Sequence, residues 1–398
     1  MTNRSVRSSA QDVIVVGGGP AGSAAGKCLA DRGLSTLLIE KHCYPREKPC
    51  GGLLSGRCID AAESIFGAGT VAAVSKGELA GCRLYRKDKP IAEITDGPRM
   101  VFTRREAMDA LLLRKAADAG CDVREDTEVT SVRPARSEVI LASGETLRAS
   151  VIIGADGAGS VVARCTRPRS RRSRRHAGFG LVAEAPIDVL KDEDASADVL
   201  PRIYLDALPW GYGWVFPRDG GVSIGIGRML GRRTDFRRRF RHFVDMTCRP
   251  GTWERLDVRG HHLPFGCSRR RPGRANVLLT GDAAGLVEPL TGEGISFALE
   301  SGRLAASAAA DALADGAPTQ AGRRYNALAA QHLLPHLRDA ALARWAFFPR
   351  PILPLALCLL GRDANRVRWY LELLAGQTSY ADYFRRLVAS AGRQHFEF

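Results

Sequence analysis

The sequence predicts an α/β fold with a discontinuous Rossmann-type domain, an antiparallel β-sheet domain and a C-terminal helical region. Three short apolar runs, each followed by glycine or aspartate, predict strands buried on both faces of a parallel sheet. They occupy residues 13–16, 151–153 and 277–279. Long stretches of other sequence separate these runs, so we expect distant parts of the chain to assemble one sheet.

The first apolar run leads directly into a glycine loop and a helix. Gly17, Gly19 and Gly22 have the G-x-G-x-x-G spacing, and an alanine-rich helical segment follows them. Gly17 suits a tight turn, Gly19 lets a pyrophosphate approach the backbone, and Gly22 lets the helix pack closely on the sheet. A second apolar run ends at Glu40, whose carboxylate can accept hydrogen bonds from a ribose hydroxyl. A glycine turn without a ligand is the alternative, but this order of elements favours a dinucleotide site.

The last of the three apolar runs is followed by a second glycine-rich stretch. Gly281 and Asp282 come directly after it, and Pro289, Gly292 and Gly294 precede a long alanine-rich helix. Open α/β sheets bind ligands at the carboxyl ends of their strands, and the positive end of a helix stabilises negative charge. Reduced flavin carries negative charge at one ring edge, so this stretch suits a flavin better than a nicotinamide.

An aromatic run, PWGYGWVFP, occupies residues 209–217. Its four large rings alternate with other residues, so in a strand they would project from one face of the sheet. An uncharged wall of rings suits a hydrocarbon ligand, and ordinary core packing is the alternative. The rings belong to Trp210, Tyr212, Trp214 and Phe216.

The composition is strongly basic. Lysine and arginine number 58 against 43 aspartates and glutamates, a formal net charge of +15. This charge favours anionic partners such as phosphates or acidic lipid surfaces, and a merely solvated surface is the alternative. Basic runs at residues 167–175, 237–241 and 269–274 could hold a diphosphate or face a membrane. They lack interleaved aromatic residues, so we expect no nucleic-acid partner.

The cysteines and the apolar stretches of the sequence indicate where in the cell the protein is expected. The ten cysteines include no Cys-x-x-Cys pair, which argues against a metal site and a disulfide framework. The N-terminal residues lack the apolar core of a signal peptide, and no stretch reaches the roughly 18 apolar residues of a membrane span. We expect a cytoplasmic protein, with peripheral membrane contact left open. Residues 347–360 either line a channel for an apolar tail, rest on lipid or pack against the β-sheet domain, and His261 and His262 are interpreted as structural.

These motifs carry a family resemblance. GGGPAG with Glu40, GADG at residues 154–157 and GDAAGLVEPLTGEGI at residues 281–295 resemble the three FAD motifs of the aromatic-hydroxylase-like flavoprotein superfamily. The aromatic run matches the P-x-x-Y-x-W-x-F-P pattern of the geranylgeranyl reductase family, and Cys50-Gly51-Gly52 after Lys48-Pro49 resembles that family's cysteine loop. The likeness spans about residues 11–310.

The resemblance implies a set of site residues. Cys50, Tyr212 and Trp214 would be catalytic, and Trp210 and Phe216 would join the two rings in contacting substrate. For Cys50 an ordinary loop cysteine is the alternative, and for Arg105 a surface arginine at a helix start. The residues expected to bind FAD are Gly17, Gly19, Ala21, Gly22, Glu40, Cys50, Gly51, Arg105, Val129, Asp156, Asp282, Pro289, Gly292, Gly294 and Ile295.

The resemblance also divides the chain into three parts. The FAD-binding domain would comprise residues 11–80, 101–165 and 275–318. The β-sheet substrate domain would comprise residues 81–100 and 166–274, and the C-terminal helical region residues 319–398.

The implied activity is an FAD-dependent saturation of carbon–carbon double bonds in a polyprenyl chain. Hydride would come from reduced flavin, and a proton would complete the reduction. Because the chain has no second glycine fingerprint, NADPH would dock transiently or a separate reductant would supply the electrons. Substrates would be a prenyl diphosphate, a prenylated lipid, a quinone or another terpenoid. A flavin-dependent monooxygenase or halogenase on the same scaffold is the first alternative, and a non-catalytic flavoprotein the second.

Overall fold

A computed structural model describes residues 11–166, 177–191, 200–230, 235–265, 271–349 and 351–393. The basic run at residues 167–175 lies outside the described residues, as does the first part of the run at 269–274.

Eighteen strands are present in the described residues. In chain order they are β1 (Gln11–Val16), β2 (Thr36–Ile39), β3 (Leu53–Leu54), β4 (Ser75–Leu79), β5 (Cys82–Arg86), β6 (Lys89–Ile94), β7 (Met100–Thr103), β8 (Asp122–Arg124), β9 (Val129–Arg133), β10 (Glu138–Leu141), β11 (Thr146–Gly154), β12 (Ala177–Pro186), β13 (Arg202–Leu208), β14 (Gly211–Arg218), β15 (Gly221–Met229), β16 (Arg259–Pro264), β17 (Gly273–Arg274) and β18 (Val277–Leu279).

Twelve α-helices accompany them in the same residues. They are α1 (Pro20–Ala30), α2 (Gly56–Phe66), α3 (Arg105–Asp118), α4 (Val161–Thr166), α5 (Phe236–Thr247), α6 (Gly281–Ala284), α7 (Ile295–Ala314), α8 (Ala321–His332), α9 (Leu334–Phe347), α10 (Leu353–Gly361), α11 (Ala364–Leu374) and α12 (Tyr380–Arg393).

The first sheet has the order β17-β18-β11-β1-β2-β8, and β10 and β9 extend it from β11. The pairs β18–β11, β11–β1, β1–β2 and β2–β8 are parallel. The three apolar runs therefore lie side by side, and the apolar side chains at residues 13–16 of β1 are almost fully buried because α1 and α7 cover the sheet. This arrangement confirms the predicted discontinuous Rossmann-type fold.

The second sheet has the order β16-β12-β15-β14-β13-β5-β6. All of its pairs are antiparallel except β13–β5. Side chains alternate between its faces. A Cβ on Gly213 would lie 2.6 Å from the Phe243 ring of α5, so that face packs on α5 and the neighbouring rings of β14 point to the other face. The basic run at residues 237–241 therefore lies on the face of the sheet that is opposite the rings.

Two features complete the fold. A small antiparallel sheet, β3-β7-β4, lies between the larger ones, and the sequence analysis did not predict it. At the C-terminal end, α8 packs into the core of the first sheet, whereas α10 and α11 pack on β5 and β6. None of the helices in the described part of the chain has both the length and the apolar character needed to span a bilayer.

Candidate active site

The glycine loop has the shape that a dinucleotide requires. Gly17 has φ +104°, and a Cβ there would lie 2.5 Å from the Ala155 carbonyl oxygen. A Cβ on Gly22 would lie 1.8 Å from the Gly17 carbonyl oxygen, so only glycine fits at either position. The space above Gly19 is open, because the nearest atom to a Cβ there is Nη2 of Arg46 at 3.6 Å. Gly19 is also the N-cap of α1, so the free N–H groups of the helix can bind a phosphate.

Glu40 stabilises this loop from the end of β2. Its side chain is buried, Oε2 accepts a hydrogen bond from the Gly18 N–H at 2.7 Å, and Oε1 accepts one from the His42 N–H at 3.0 Å. A carboxylate has about four lone-pair sites, so capacity remains for a ribose hydroxyl.

Arg105 forms the opposite side of the nucleotide end. Its guanidinium donates to both oxygens of Asp109, from Nε at 2.8 Å and from Nη2 at 2.6 Å. Burial lowers the pKa of Arg105, but the Asp109 carboxylate outweighs burial and raises it. Arg46 reaches the same carboxylate at 3.3 Å. The side chain of Arg105 is 7% exposed and lines the cavity, so the surface-arginine alternative does not fit.

Asp282 lies between two basic groups that the sequence analysis did not place there. Its Oδ2 is 3.8 Å from Nζ of Lys48 and 3.7 Å from Nε2 of His261. Burial raises the pKa of Asp282, but the basic neighbours, Lys48 first, outweigh burial and lower it below its usual range. His261 lines the cavity beside Asp282, and His262 packs edge-on against Phe179, so the interpretation of both histidines as structural stays a prediction.

Besides Gly17, Gly22 and Glu40, two of the expected FAD residues do not line the cavity themselves. The Asp156 carboxylate caps α4, accepting hydrogen bonds from the Ser160 hydroxyl at 2.5 Å and from the Val161 N–H at 2.6 Å. Its side chain is therefore already engaged, although its neighbours Ala155 and Gly157 line the cavity. Val129 is buried at the start of β9, where it pairs with β10. A backbone contact from either residue stays a prediction.

The loop before α7 brings the second glycine-rich stretch to the cavity. Gly294 is the N-cap of α7 and has no side-chain cap, so the positive end of the helix is free to face a ligand. A Cβ on Gly292 would lie 3.6 Å from the Tyr212 hydroxyl, which places this loop against the aromatic strand. Five of the expected FAD residues line the cavity here, three from the loop, one from the start of α7 and one from α1: Pro289, Gly292, Gly294, Ile295 and Ala21.

Cys50 lies on a loop held against β14. Arg218 donates from Nη2 to the carbonyl oxygens of Cys50 at 3.0 Å and of Gly51 at 3.4 Å, and its Nη1 contacts Glu184. A Cβ on Gly51 would lie 3.2 Å from the Phe216 ring. The half-buried Cys50 and the ring of Phe216 therefore share one part of the cavity wall.

Three rings of β14, Tyr212, Trp214 and Phe216, form what we call the aromatic wall. Their successive centroids are 5.9 Å and 6.1 Å apart. The Tyr212 hydroxyl donates to the carbonyl oxygen of Thr291, and burial raises the pKa of its phenol. Tyr212 therefore remains protonated and presents its ring to the cavity.

Trp210 departs from the predicted pattern. It lies in the turn before β14 with φ +62°, and its ring packs edge-on against Trp345 of α9 at 4.7 Å. The expectation that four rings share one strand face is wrong for Trp210. The strand begins only at Gly211, so Trp210 belongs to the hairpin turn and does not follow the alternation of strand side chains. The Trp210 ring nevertheless lines the cavity, although it projects from the turn and not from the strand.

The far end of the cavity is apolar and is closed by the C-terminal helices. Side chains from α9 to α12 line it, among them Phe347, Ala356, Leu360, Leu371 and Leu387. Of residues 347–349 and 351–360, some therefore line the cavity and others pack on β5 and β6.

The sequence analysis missed several polar residues of this site. Arg46 and Lys48 lie in the segment between β2 and the cysteine loop. Two basic residues so close before that loop were a signal in the sequence that could have placed them in the site. His261, Arg218 and Glu293 gave no comparable signal, because their partners lie far away in the sequence.

Comparisons with known proteins agree with this geometry. Residues 10–202 match the model of the FAD binding domain family. The chain is 31% identical over 333 residues to digeranylgeranylglycerophospholipid reductase from Methanosarcina acetivorans, covering 77% of this chain and 76% of the relative. It is 31% identical over 314 residues to menaquinone reductase from Mycobacterium tuberculosis, covering 74% and 75%.

A solved structure shows the same fold. A geranylgeranyl bacteriochlorophyll reductase-like protein from Thermoplasma acidophilum superposes with a TM-score of 0.72 at 24% identity, and the match covers 96% of each chain. The glycine loop without room for a Cβ, the open approach at Gly19 and the free N-terminus of α7 are compatible with FAD. Taken with the two reductases, these features show that the chain belongs to the geranylgeranyl reductase family of FAD-dependent oxidoreductases.

Proposed function

We propose that this enzyme saturates carbon–carbon double bonds of a polyprenyl chain. The observation that supports the proposal is a cavity of about 470 Å³ with two unlike ends. Its lining runs from the glycine loop and Asp282, past Cys50 and the aromatic wall, to the apolar side chains of α9–α12. A cavity of this size buries a small ligand, and this order of chemistry suits a hydrocarbon tail that meets a flavin.

Different residues of the chain would bind different parts of the cofactor. The free end of α1 and Arg46 would bind the pyrophosphate, and Glu40 the ribose. Asp282 and the N-terminus of α7 would hold the other half of FAD. When bound, reduced FAD supplies a hydride.

The aromatic wall suits the chemistry of an isolated alkene. Such a bond is not electrophilic, so a proton must reach one carbon while hydride reaches the other. Positive charge then develops at the more substituted carbon, and aromatic faces stabilise a nearby cation by about 0.5–2 kcal/mol. Tyr212 and Trp214 present such faces, and the apolar lining excludes the water that would otherwise capture the cation.

The substrate would enter tail first, with its head group at the mouth of the cavity. The two relatives are named for a phospholipid and a menaquinone, so a prenylated lipid or a quinone fits as well as a prenyl diphosphate. The basic run on α5 does not suit a head-group site for this cavity, because it lies on the other face of the second sheet. NADPH and a separate reductant remain alternative electron donors.

The outer surface of the C-terminal helices suits contact with lipid. Large exposed apolar side chains concentrate on α9, α10 and α12, and the same helices close the apolar end of the cavity. We infer that this surface rests on a phospholipid bilayer, from which a hydrocarbon tail reaches the cavity without crossing water. We call it the lipid-facing surface, and it comprises Leu342, Trp345, Leu355, Phe384 and Val388.

An anaerobic experiment tests the reaction. The purified flavoprotein is reduced chemically, and geranylgeranyl diphosphate, a menaquinone or a digeranylgeranyl phospholipid is added. We expect prenyl-dependent reoxidation of the flavin and a product heavier by two hydrogen atoms for each bond reduced. No reoxidation with any prenyl compound, together with an oxygen-dependent hydroxylated or halogenated product, would support the monooxygenase or halogenase alternative instead.

A further inference from the structure

Two glutamates flank the loop that leads into α7, and their surroundings differ. Glu288 is 1% exposed and lies beneath the loop. Its Oε2 accepts hydrogen bonds from the Leu290 N–H at 2.9 Å and from the N–H and hydroxyl of Thr291 at 2.5 and 2.6 Å. Its Oε1 accepts one from the Tyr380 hydroxyl at 2.6 Å. Four hydrogen-bond donors therefore surround the Glu288 carboxyl group.

Glu293 occupies the other environment. It lines the cavity, next to the glycines of the loop. Its Oε1 accepts a hydrogen bond, at 2.6 Å, from the hydroxyl of Ser55 at the start of α2, and the hydroxyl of Ser296 is a second neutral neighbour. A carboxyl group in such a place tends to keep its proton, because few donors replace the water that would stabilise the anion.

The charged groups around Glu293 do not reverse this preference. Burial raises the pKa of Glu293 and the Glu288 carboxylate adds to the rise, while Ser55, Ser296 and Arg57 lower it by less. Burial therefore favours the protonated form of Glu293, which is the form that a general acid must have.

Tyr212 and Cys50 also line the cavity, and Tyr212 is less suited to give up a proton. The Tyr212 hydroxyl already donates to Thr291, and burial raises the pKa of its phenol. Sγ of Cys50 accepts a hydrogen bond from the Gly52 N–H at 3.4 Å, and its thiol is the main competitor.

We propose that Glu293 is the acid that protonates the alkene, an inference that rests on the proposed reductase function. The O–H bond of Glu293 breaks, and its proton forms a C–H bond at the less substituted carbon. The electrons of the π bond form that C–H bond, and the other carbon accepts hydride from reduced FAD. Glu293 is left as a carboxylate hydrogen-bonded to Ser55, and a solvent proton restores it before the next turnover.

The first test does not depend on turnover. Infrared spectra of the flavoprotein at neutral pH, in H₂O and in D₂O, should show the C=O stretch of a protonated carboxyl group. We expect Glu293→Gln to remove this band and Glu300→Gln to retain it. Glu300 is the matched control, because it lies on α7, the helix that follows Glu293, and pairs with Arg303 at 2.5 Å. A band that persists in Glu293→Gln would overturn the proposal.

The second test uses the anaerobic reaction with geranylgeranyl diphosphate. General acids contribute roughly 10²–10⁴-fold, so Glu293→Gln should slow prenyl-dependent reoxidation by about that factor while binding FAD normally. Because the acid form is required, the wild-type rate should fall as pH rises through the raised pKa of Glu293, and the variant should lose this dependence.

The outcomes separate the two proposals. If the wild-type enzyme reduces no prenyl compound, the proposed function fails, while the infrared result still reports the protonation state of Glu293. If the wild type turns over and Glu293→Gln matches it in rate and pH profile, Glu293 is not the acid. A rate lost in Cys50→Ser but kept in Glu293→Gln would assign the role to Cys50.

Discussion

The two ends of the cavity are lined by chemically different groups. At the nucleotide end, backbone N–H groups and charges form the site, and the backbone around Gly17 and Gly22 leaves no room for a Cβ. At the hydrocarbon end, mostly apolar side chains from four helices, α9 to α12, line the cavity and can contact a tail only through van der Waals packing. The difference implies that cofactor binding is sensitive to a single methyl group, whereas the site for the tail tolerates changes of shape.

The largest effect should follow from filling the tight turn. We expect Gly22→Ala to weaken FAD binding by about 100-fold, because the new Cβ would lie 1.8 Å from the Gly17 carbonyl oxygen and such overpacking costs roughly 1–3 kcal/mol. Fluorescence titration of the apoprotein with FAD measures the change. Gly159→Ala is the matched control, because no atom lies within 4 Å of a Cβ at that position. A Gly22→Ala protein that binds FAD like the wild type would contradict the comparison.

The aromatic wall should respond less strongly than the glycine loop. We expect Trp214→Leu to slow prenyl-dependent flavin reoxidation roughly tenfold, because it removes an aromatic face worth about 0.5–2 kcal/mol to a developing cation. FAD affinity should stay within about twofold of wild type, since the ring is not part of the nucleotide end. Trp210→Leu controls for the loss of an indole, because Trp210 lies in the turn and packs against Trp345. Equal rates for the two variants would show that the wall has no special role.

Arg218 links the cysteine loop to the aromatic strand. Arg218→Gln should raise the rate of Cys50 alkylation several-fold, because the loop loses two hydrogen bonds from the guanidinium, each worth about 0.5–1.5 kcal/mol. Peptide mass spectrometry after iodoacetamide treatment measures the rate, with the exposed Cys43 and Cys358 as internal controls. Rescue by Arg218→Lys would mean that charge alone suffices. Unchanged labelling of Cys50 in both variants would show that Arg218 does not position the loop.

The same contrast explains what the sequence could predict. Gly17, Gly22 and Glu40 were predictable because a dinucleotide imposes one local order of strand, turn, helix and acid. The bond between Arg218 and the Cys50 carbonyl joins residues 168 positions apart, and the bond between Tyr380 and Glu288 joins residues 92 apart, so neither leaves a local pattern. Trp210 was misplaced because alternation along a strand does not show where the strand begins. Asp156 was assigned to FAD by motif, while the structure shows its carboxylate capping α4.

We expect the smallest effect from substitutions on the lipid-facing surface, which is the outer side of the hydrocarbon end. Leu342 and Leu355 are each 61% exposed on the lipid-facing surface, and complete burial of a leucine contributes about 1.5–3 kcal/mol. Partial insertion into a bilayer should contribute less, so we expect Leu342→Ser and Leu355→Ser each to weaken binding to phosphatidylglycerol vesicles roughly threefold to tenfold. Sedimentation with vesicles measures binding, and Leu230→Ser, at a residue 37% exposed outside the C-terminal helices, is the control.

Equal losses in all three variants would mean that general hydrophobicity governs binding. A change of oligomeric state without a change in vesicle binding would mean that a second copy of the chain covers this surface. Selective loss at α9 and α10 would instead place the bilayer beside the apolar end of the cavity, where the tail of a membrane lipid has the shortest route to the flavin.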